Sequence, residues 1–235
     1  MKPCAIVILN WNGLSFLKDY LPILEEKTPE SLANIYVVDN DSEDDSEAYI
    51  QEFHKDVVWI QNSKNHGFAK GYNEGLKDIE EPILCLLNSD IEVTENWLEP
   101  ILDYFSKYLN VAAIQPKILD LKDKSKFEYA GGSGGFYDYF GYAICRGRYF
   151  DHIEEDQGQY DDVVDICWAS GCCLFIRNSI FTEVGGFDGD YFAHQEEIDL
   201  CWRIHNYGYE IKVLPQSKVF HYGGGSLPYG SYFKS

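Results

Sequence analysis

The sequence predicts an α/β fold, in which one domain is built on a mainly parallel sheet flanked by helices. Three observations support this prediction. Short β-branched runs alternate with stretches of helical spacing along the first half of the chain. Several of these runs end in Asn or Asp, at the carboxyl ends of strands where open α/β sheets bind ligands. The 235 residues, 45% of them hydrophobic, suffice for one sizeable domain and not clearly for two.

The elements of the first half follow in order. The β-branched run at 5–9 stops at the loop signal 10–13. A capping box at 42–45 opens a helix that is predicted to run to Phe53. The predicted strands span 5–9, 34–39, 57–61, 83–87 and 111–114, and the other predicted helices span 14–24, 68–78 and 95–108.

The composition changes after about Pro116. Residues 129–150, rich in Gly and Tyr, predict a mobile loop that orders over bound substrates. Regular structure is predicted again at 167–177, and a helix at 196–207 and a strand at 209–214 follow it. We therefore predict one domain with two halves, a nucleotide-binding half at 1–115 and a substrate-shaping half at 116–235.

Charge and cysteine content limit the partners. A formal net charge of −20 argues against nucleic acid and against an anionic membrane surface. It leaves a nucleotide ligand open, because a bound divalent ion supplies its own charge. Seven cysteines without a C-x-x-C pair favour a reducing compartment. The N-terminus lacks the features of a signal peptide, so we expect a cytoplasmic protein.

The most informative stretch is 82–93, where an apolar run ends in Asn88-Ser89-Asp90. A buried strand that delivers an aspartate to its carboxyl end suits Mg²⁺ or Mn²⁺ holding a diphosphate. The alternative is a strand followed by an Asx turn or a helix cap, and the tripeptide alone favours neither.

Two later features carry further candidates. Glu196 and Asp199 share a face of the last predicted helix, while Glu197 points elsewhere. Helix capping is the competing interpretation, because the helix dipole stabilises acidic side chains in the first turn of a helix. His221 precedes three glycines, which let backbone approach a ligand, although a lone His is more often structural. The loop-to-helix segment 65–73 also carries glycines that can cradle a phosphate or a sugar.

Eight segments, in this order, resemble the family 2 inverting glycosyltransferases with a GT-A fold, and look closest to the bacterial rhamnosyltransferase-like branch. The resemblance covers nearly the whole chain. The segments are I-V-I-L-N-W-N (6–12), V-V-D-N-D-S-E-D-D-S (37–46), N-H-G-F-A-K-G-Y-N (65–73), L-N-S-D (87–90), S-G-C-C-L-F-I-R (170–177), V-G-G-F-D (184–188), E-E-I-D-L-C-W-R (196–203) and H-Y-G-G-G-S (221–226).

The resemblance implies a Rossmann-like GT-A domain over 1–235 that moves a sugar from a nucleotide-diphosphate donor to a hydroxyl acceptor, with inversion, in cell-surface polysaccharide synthesis. Asp39 would accept hydrogen bonds from the base of the donor. The residues that would form the donor site are Asn10, Asn12, Asp39, Asn65, Gly67, Gly71, Asn73, Asn88 and Ser89.

The resemblance also implies a metal site and a base. Asp90 would ligate Mg²⁺ or Mn²⁺ with His221, although Asn88 replaces the first Asp of the family's D-x-D motif. Glu197 stands where the family has its general base, usually Asp, with Glu196 and Asp199 as substitutes. On the acceptor side, Ser170 and Gly171 would lie under the acceptor. Trp168 either offers an apolar face to a sugar ring or belongs to the core, which is favoured.

The implied partners are a sugar nucleotide and a saccharide or lipid-linked saccharide. Because relatives commonly continue beyond His221 with helices that bind acceptor or membrane, we expect either a catalytic part of a longer protein at the inner face of the cell membrane, or a short natural form. Two other classes stay open. A nucleotidyltransferase is disfavoured because the loop 10–13 has no basic residue, and Asn88 and Glu197 keep open a sugar-nucleotide binder without activity.

Overall fold

A computed structural model describes residues 1–192 and 194–223. The strands are β1 (Cys4–Asn10), β2 (Ala33–Asp39), β3 (Val58–Gln61), β4 (Ile83–Leu87), β5 (Ile91–Val93), β6 (Val111–Asp120), β7 (Gly135–Tyr137), β8 (Ala143–Cys145), β9 (Arg148–Tyr149), β10 (His152–Ile153), β11 (Val164–Asp165), β12 (Cys173–Arg177) and β13 (Glu210–His221). The helices are α1 (Leu14–Lys27), α2 (Ser46–Phe53), α3 (Gly67–Gly75), α4 (Glu99–Lys107), α5 (Asn178–Glu183) and α6 (Glu196–Asn206).

The central sheet has the strand order β11-β13-β6-β12-β4-β1-β2-β3, with β5 paired to β13. Strands β1, β2, β3 and β4 run parallel, and β13 runs parallel to β6. Strand β12 runs antiparallel between β4 and β6, so the sheet is mixed. The predicted fold class, a single α/β domain whose sheet is flanked by helices, is confirmed.

Two apolar layers cover the two faces of the sheet. Alternate residues of β1 point to opposite layers, as the period of a strand requires: Ile6 and Ile8 into one, Ala5 and Val7 into the other. The first layer takes buried side chains of α1, α2 and α4, and the second those of α3, α5 and α6. This packing holds the carboxyl ends of β1, β2 and β4 at one edge, with Asn10 opposite Asp39 and Leu87 opposite Ile8.

Several predicted elements need correction. The segment 42–45 does not form a capping box, because Asp45, at the N-cap position of α2, makes no side-chain cap hydrogen bond and the Ser42 hydroxyl bonds to Asp39 instead. Strands β6 and β13 extend well beyond their predicted ends, since they pair with each other as far as His221 and Asp120. The predicted division at 115/116 falls within β6 and stays a prediction about function.

The segment 129–150 is not an irregular loop. It forms three strands of a small antiparallel sheet of order β10-β9-β8-β7, which lies apart from the central sheet. No helix within 1–192 and 194–223 is both long enough and apolar enough to cross a membrane. Gly224, Gly225 and Ser226 of the predicted segment 221–226 lie outside the described residues.

Candidate active site

Asp39 is the centre of a hydrogen-bonded network at the carboxyl ends of β1 and β2. It is buried, and its Oδ1 accepts from Asn10 Nδ2 at 2.9 Å and from Ser42 Oγ at 2.6 Å. Its Oδ2 accepts from Ser42 N at 2.8 Å and from Gln61 Nε2 at 3.1 Å. A carboxylate offers about four acceptor positions, so these donors fill them. A nucleotide base that bonds to Asp39 must therefore displace one donor, and the Gln61 bond is the longest.

The loop after β1 is fastened to the same network. Asn12 N donates to Ser42 Oγ at 2.9 Å, and Asn12 Oδ1 accepts from Glu43 N at 2.8 Å. A Cβ at Gly13 would lie 2.4 Å from Asn10 Oδ1, so only glycine fits there. That Asn10 oxygen is buried without a hydrogen-bond partner among the described residues, which leaves it as an unused acceptor beside Gly13.

The predicted donor residues of 65–73 are engaged within the protein. Asn65 Oδ1 accepts from Gly67 N at 2.8 Å, and a Cβ at Gly71 would lie 2.6 Å from the Asn40 amide. The Phe68 N–H at the start of α3 donates to Phe192 O at 2.7 Å, so this amide is not available to a phosphate.

Asn73 has a positioning role in this arrangement. Its Nδ2 donates to Phe187 O at 2.8 Å, and its Oδ1 accepts from Phe187 N at 3.0 Å. Both polar atoms thus hold α3 against the turn at 184–188. This clamp argues against direct contact between Asn73 and a donor.

Asp90 and His221 meet directly after β4 and at the end of β13. Both are buried, and Asp90 Oδ1 lies 3.2 Å from His221 Nε2. Within the described part of the chain the Asp90 oxygen nevertheless has no hydrogen-bond partner, so its contact with His221 lacks hydrogen-bond geometry. Two ligands about 2.1 Å from one ion at a right angle are roughly 3 Å apart, so the pair fits one divalent ion.

The pair needs further ligands. Within the described residues, no group of three or more His, Cys, Asp or Glu side chains is arranged to hold a metal ion. Mg²⁺ typically keeps waters and binds substrate phosphates besides one or two carboxylates, so a two-residue site is chemically reasonable. Asn88, in place of a second carboxylate, is tied through its backbone N–H to Cys172 O at 2.9 Å.

A second carboxylate lies behind His221. Glu128 Oε1 is 3.3 Å from His221 Nδ1, and Glu128 is buried. Burial opposes charge on the imidazole, but the contacts with Cys172, Asp90 and Glu128 outweigh it, so the pKa of His221 lies well above its ordinary value. A positive charge is favoured at this position, whether it is a proton or a cation.

The acids of α6 differ in their surroundings. Glu196 Oε2 and Glu197 Oε2 are both buried without a hydrogen-bond partner among the residues that the structure describes. Burial and the neighbouring Glu197 raise the pKa of Glu196 to about 8, and burial also raises the pKa of Glu197. Asp199 instead accepts two hydrogen bonds from Arg203, at 2.9 and 2.7 Å, which argues against Asp199 as a base.

The turn before β12 lies between Glu197 and the Asp90–His221 pair. A Cβ at Gly171 would lie 3.6 Å from Glu197 Cβ, and Cys172 contacts His221. Ser170 N donates to Gln115 Oε1 at 2.8 Å, which fixes the turn. Trp168 belongs to the core, as favoured, since it is 4% exposed and donates its indole N–H to Phe136 O. It supports the site from beneath.

The model of the family described as Glycosyl transferase family 2 matches residues 5–185, which is most of the chain. The chain belongs to glycosyl transferase family 2. The matched span includes the Asp39 network and Asp90. Glu196, Glu197 and His221 lie beyond it.

Family 2 membership agrees with the curated relatives. The chain is 24% identical over 241 residues to polypeptide N-acetylgalactosaminyltransferase 4 of Caenorhabditis elegans, covering 97% of this chain and 40% of the relative. It is 23% identical over 233 residues to N-acetylglucosaminyl-diphospho-decaprenol L-rhamnosyltransferase of Mycobacterium tuberculosis, covering 92% and 75%. This chain therefore spans less than half the length of the first relative.

Solved structures show the same GT-A glycosyltransferase fold. GalNAc-T7 with UDP, GalNAc and Mn²⁺ superposes with a TM-score of 0.74 at 19% identity, over 94% of this chain and 44% of that one. The mannosyltransferase PcManGT of Pyrobaculum calidifontis, with GDP-Man and Mn²⁺, has a TM-score of 0.69 at 15% identity, over 98% and 58%.

Some site residues are not evident in the sequence. Ser42 has the spacing of a helix cap, and Gln61 lies at the end of a strand with no distinguishing neighbour. Glu128 follows an irregular stretch, and only the bend at the end of β6 brings it to His221. Trp11, 53% exposed beside Asn10, offers a flat ring at the crevice, and its exposure is visible only in the structure.

Proposed function

We propose that this family 2 protein transfers a sugar from a nucleotide-diphosphate donor to an acceptor hydroxyl, with inversion and with help from Mg²⁺ or Mn²⁺. The observation that carries the proposal is one arrangement of unpaired buried oxygens. Glu197, which has an unpaired buried oxygen among the described residues, lies next to Gly171 of the turn 170–172, and Cys172 of the same turn lies next to His221, which is close to Asp90.

The donor would lie along the carboxyl ends of β1, β2 and β4. Asp39 and Asn10 Oδ1 would meet the base, and the exposed Trp11 ring offers a stacking surface. The diphosphate would lie at Asp90 and His221, which would hold the divalent ion between them. When bound, this ion supplies positive charge that stabilises the departing diphosphate. The presence of Mn²⁺ with UDP or GDP-Man in the two structural neighbours supports a nucleotide-sugar donor and a divalent ion as ligands.

Glu197 would be the general base. Its carboxylate takes the proton of the acceptor hydroxyl while the acceptor oxygen attacks the anomeric carbon. The bond between that carbon and the diphosphate oxygen breaks, and its electron pair leaves with the nucleoside diphosphate. A pKa raised by burial makes Glu197 a stronger proton acceptor than an exposed carboxylate, which suits this role.

The acceptor would be a saccharide or lipid-linked saccharide in the synthesis of a cell-surface polysaccharide. The relative described as acting on N-acetylglucosaminyl-diphospho-decaprenol supports this acceptor class. The seven free cysteines support a reducing compartment such as the cytoplasm.

The direct test is a panel of UDP-, GDP- and dTDP-sugars, each with Mn²⁺ or Mg²⁺, in which release of nucleoside diphosphate is measured. We expect release from at least one donor, and proton NMR of the product should show an anomeric configuration opposite to that of the donor. Release from none of them would contradict the proposal, and a retained configuration would contradict the inverting mechanism.

The metal site has its own test by calorimetry. Asp90→Ala should abolish the dependence of donor binding on Mn²⁺, because it removes the one carboxylate of the pair. Asp78→Ala is the matched control, since Asp78 is an exposed aspartate that precedes the amino end of β4, whereas Asp90 follows its carboxyl end. Unchanged Mn²⁺ dependence in Asp90→Ala would rule out this site.

A further inference from the structure

A cleft of about 490 Å³ lies beside the first turns of α6, between that helix and the small sheet. Its lining includes four aromatic residues and two acids, which are Tyr137, Tyr139, Tyr191, Trp202, Asp138 and Asp199. None of these aromatic residues takes part in the donor site described above. The cleft opens on the helix that carries Glu197.

The rings in this cleft are unusually accessible for large apolar groups. Tyr139 is 96% exposed and Trp202 is 58% exposed. Contiguous exposed apolar surface of this kind marks a binding site more often than an ordinary surface. Four rings facing a single concavity are typical of pockets that bind flat or ring-shaped ligands.

The polar groups of the cleft are hydrogen-bond acceptors with open positions. Asp138 uses Oδ1 for the Phe140 and Tyr142 amides, and Asp199 uses Oδ2 for Arg203. The second oxygen of each carboxylate has no hydrogen-bond partner among the described residues. A sugar ring matches this lining, because its C–H face packs on an aromatic ring while its hydroxyls donate to carboxylates.

A second cleft of about 260 Å³ continues past the same rings. It shares Tyr137 and Trp202 with the first cleft and reaches His205. The two rings meet edge to face, with centroids 5.9 Å apart, and so form a ridge between the clefts. A ligand that covers both sides of this ridge must be longer than one sugar ring.

The position of the clefts relative to the acids fits an acceptor. Trp202 lies five residues beyond Glu197, about 7.5 Å further along the axis of α6. Burial, with nearby Cys201, Cys167 and Glu197, raises the pKa of Tyr137 to about 12. The Tyr137 hydroxyl therefore stays protonated, and it is buried without a hydrogen-bond partner among the described residues.

We infer that these two clefts bind an oligosaccharide acceptor of two or more sugar rings, which stacks on Trp202 and Tyr139 and extends past Tyr137 towards Glu197. This inference rests on the proposed transferase function and adds the class of acceptor. A membrane surface is the less favoured occupant, because the site is concave, carries open carboxylates and belongs to a chain of net charge −20.

The test uses the full chain with UDP and Mn²⁺ on an array of neutral mono- to hexasaccharides, followed by calorimetry with the glycan that is best retained. We expect the oligosaccharide to bind at least about tenfold more tightly than its monosaccharide. Trp202→Ala and Tyr139→Ala should each weaken binding about tenfold, as expected for exposed aromatic anchors. Phe53→Ala, which removes an equally exposed ring on α2, should have no effect.

Three results would overturn the inference: no retained glycan, equal affinity for the monosaccharide, or glycan binding that neither aromatic variant changes. Binding of vesicles of phosphatidylcholine and phosphatidylglycerol that both variants abolish, without glycan binding, would assign the surface to a membrane instead. Tyr139 is almost fully exposed, so its variant cannot lose binding through misfolding. Failure of the proposed function is separate, since it shows as wild-type protein that releases no nucleoside diphosphate.

Discussion

The donor side and the acceptor side of this crevice differ in how their polar groups are satisfied. On the donor side, Asp39 receives four hydrogen bonds from within the protein. On the acceptor side, Glu196 and Glu197 each keep one buried oxygen without a hydrogen-bond partner among the described residues, and the Tyr137 hydroxyl is buried without one as well. The Asp39 end of the donor side is thus hydrogen-bonded before a ligand arrives, whereas the acceptor side keeps polar groups that a ligand could satisfy.

This difference indicates where reactivity is concentrated. Buried polar groups are nearly always hydrogen-bonded, so two exceptions on one helix, Glu196 and Glu197, need an explanation. Raised pKa values of buried carboxylates favour catalysis over a purely structural role. The donor side, by contrast, has an internally hydrogen-bonded Asp39 network, and its unpaired buried oxygens among the described residues are Asn10 Oδ1 and Asp90 Oδ1.

The largest expected effect is on the acceptor side. Glu197→Gln should lower kcat by about 10²–10⁴-fold, because a general base contributes that much. Donor binding, measured by calorimetry, should be retained, since Glu197 lies away from the Asp39 network. The same experiment separates a working enzyme from a sugar-nucleotide binder without activity, in which Glu197→Gln changes no rate.

The neighbouring acids give the controls for this assignment. Asp199→Asn should change kcat far less, because its carboxylate is already paired with Arg203. If Asp199→Asn or Glu196→Gln abolishes turnover while Glu197→Gln does not, the base is reassigned to that residue and the proposed role of Glu197 is wrong.

The next effect is on stability and depends on pH. The pKa of Glu196 rises from 4.5 to about 8 on folding, so its contribution to stability is present below about pH 4.5 and is lost as the pH rises to about 8. Glu196→Gln should remove this loss and raise the free energy of unfolding at pH 8.5 by an amount on the order of a few kcal/mol. Urea unfolding at pH 5 and pH 8.5 measures it, with exposed Glu52→Gln as control.

Greater stability at pH 8.5 with little change at pH 5 is the expected pattern for Glu196→Gln. Equal changes in the free energy of unfolding at both pH values, or a lower free energy of unfolding at pH 8.5, would mean that the Glu196 carboxylate is stabilised in the folded state by a partner.

Local patterns predict the fold well where one strand or helix determines its own limits. The run Ile83–Leu87 was predicted to the residue, because an apolar strand is bounded by Pro82 and the polar Asn88. The ends of β6 and β13 could not be predicted locally, since each strand continues only because the other pairs with it. The reversed direction of β12 likewise depends on pairing with β4 and β6, which no sequence period encodes.

The candidate site likewise contains residues that local sequence patterns predict and residues that depend on contacts between distant segments. Asp39 and Asp90 were predicted from their place at strand ends, and the structure brings Asp90 to His221 across about 130 residues of chain. Glu128 and Gln61 could not be predicted, because their roles depend on contacts between distant segments. The same limit applies to the hydrogen bonds that Asn73 makes with Phe187 and Asp199 makes with Arg203, which no local pattern predicts.

A smaller effect is expected for Glu128, whose carboxylate lies behind His221. A carboxylate behind a metal-binding histidine fixes the orientation of its ring, and losing it typically weakens metal binding 10–100-fold. Glu128→Gln should therefore weaken Mn²⁺ binding by about that factor, as measured by electron paramagnetic resonance of free Mn²⁺ without any substrate. The control is Glu81→Gln, another buried carboxylate, bonded to Asn34 and Tyr36 away from the site. Equal losses in both variants would indicate a general effect on the fold.

The smallest expected effect lies on the donor side, where removing a hydrogen bond should strengthen binding. Gln61 Nε2 occupies a position on Asp39 Oδ2 that a nucleotide base would need. Because a typical hydrogen bond contributes about 1 kcal/mol net, Gln61→Ala should tighten donor binding by about fivefold in calorimetry. Gln51→Ala, which removes an exposed glutamine bonded to Glu47, should leave the affinity unchanged. Weaker donor binding in Gln61→Ala would mean that Gln61 orients Asp39 for the base instead of competing with it, and the donor side would then be preorganised through all four of its internal bonds.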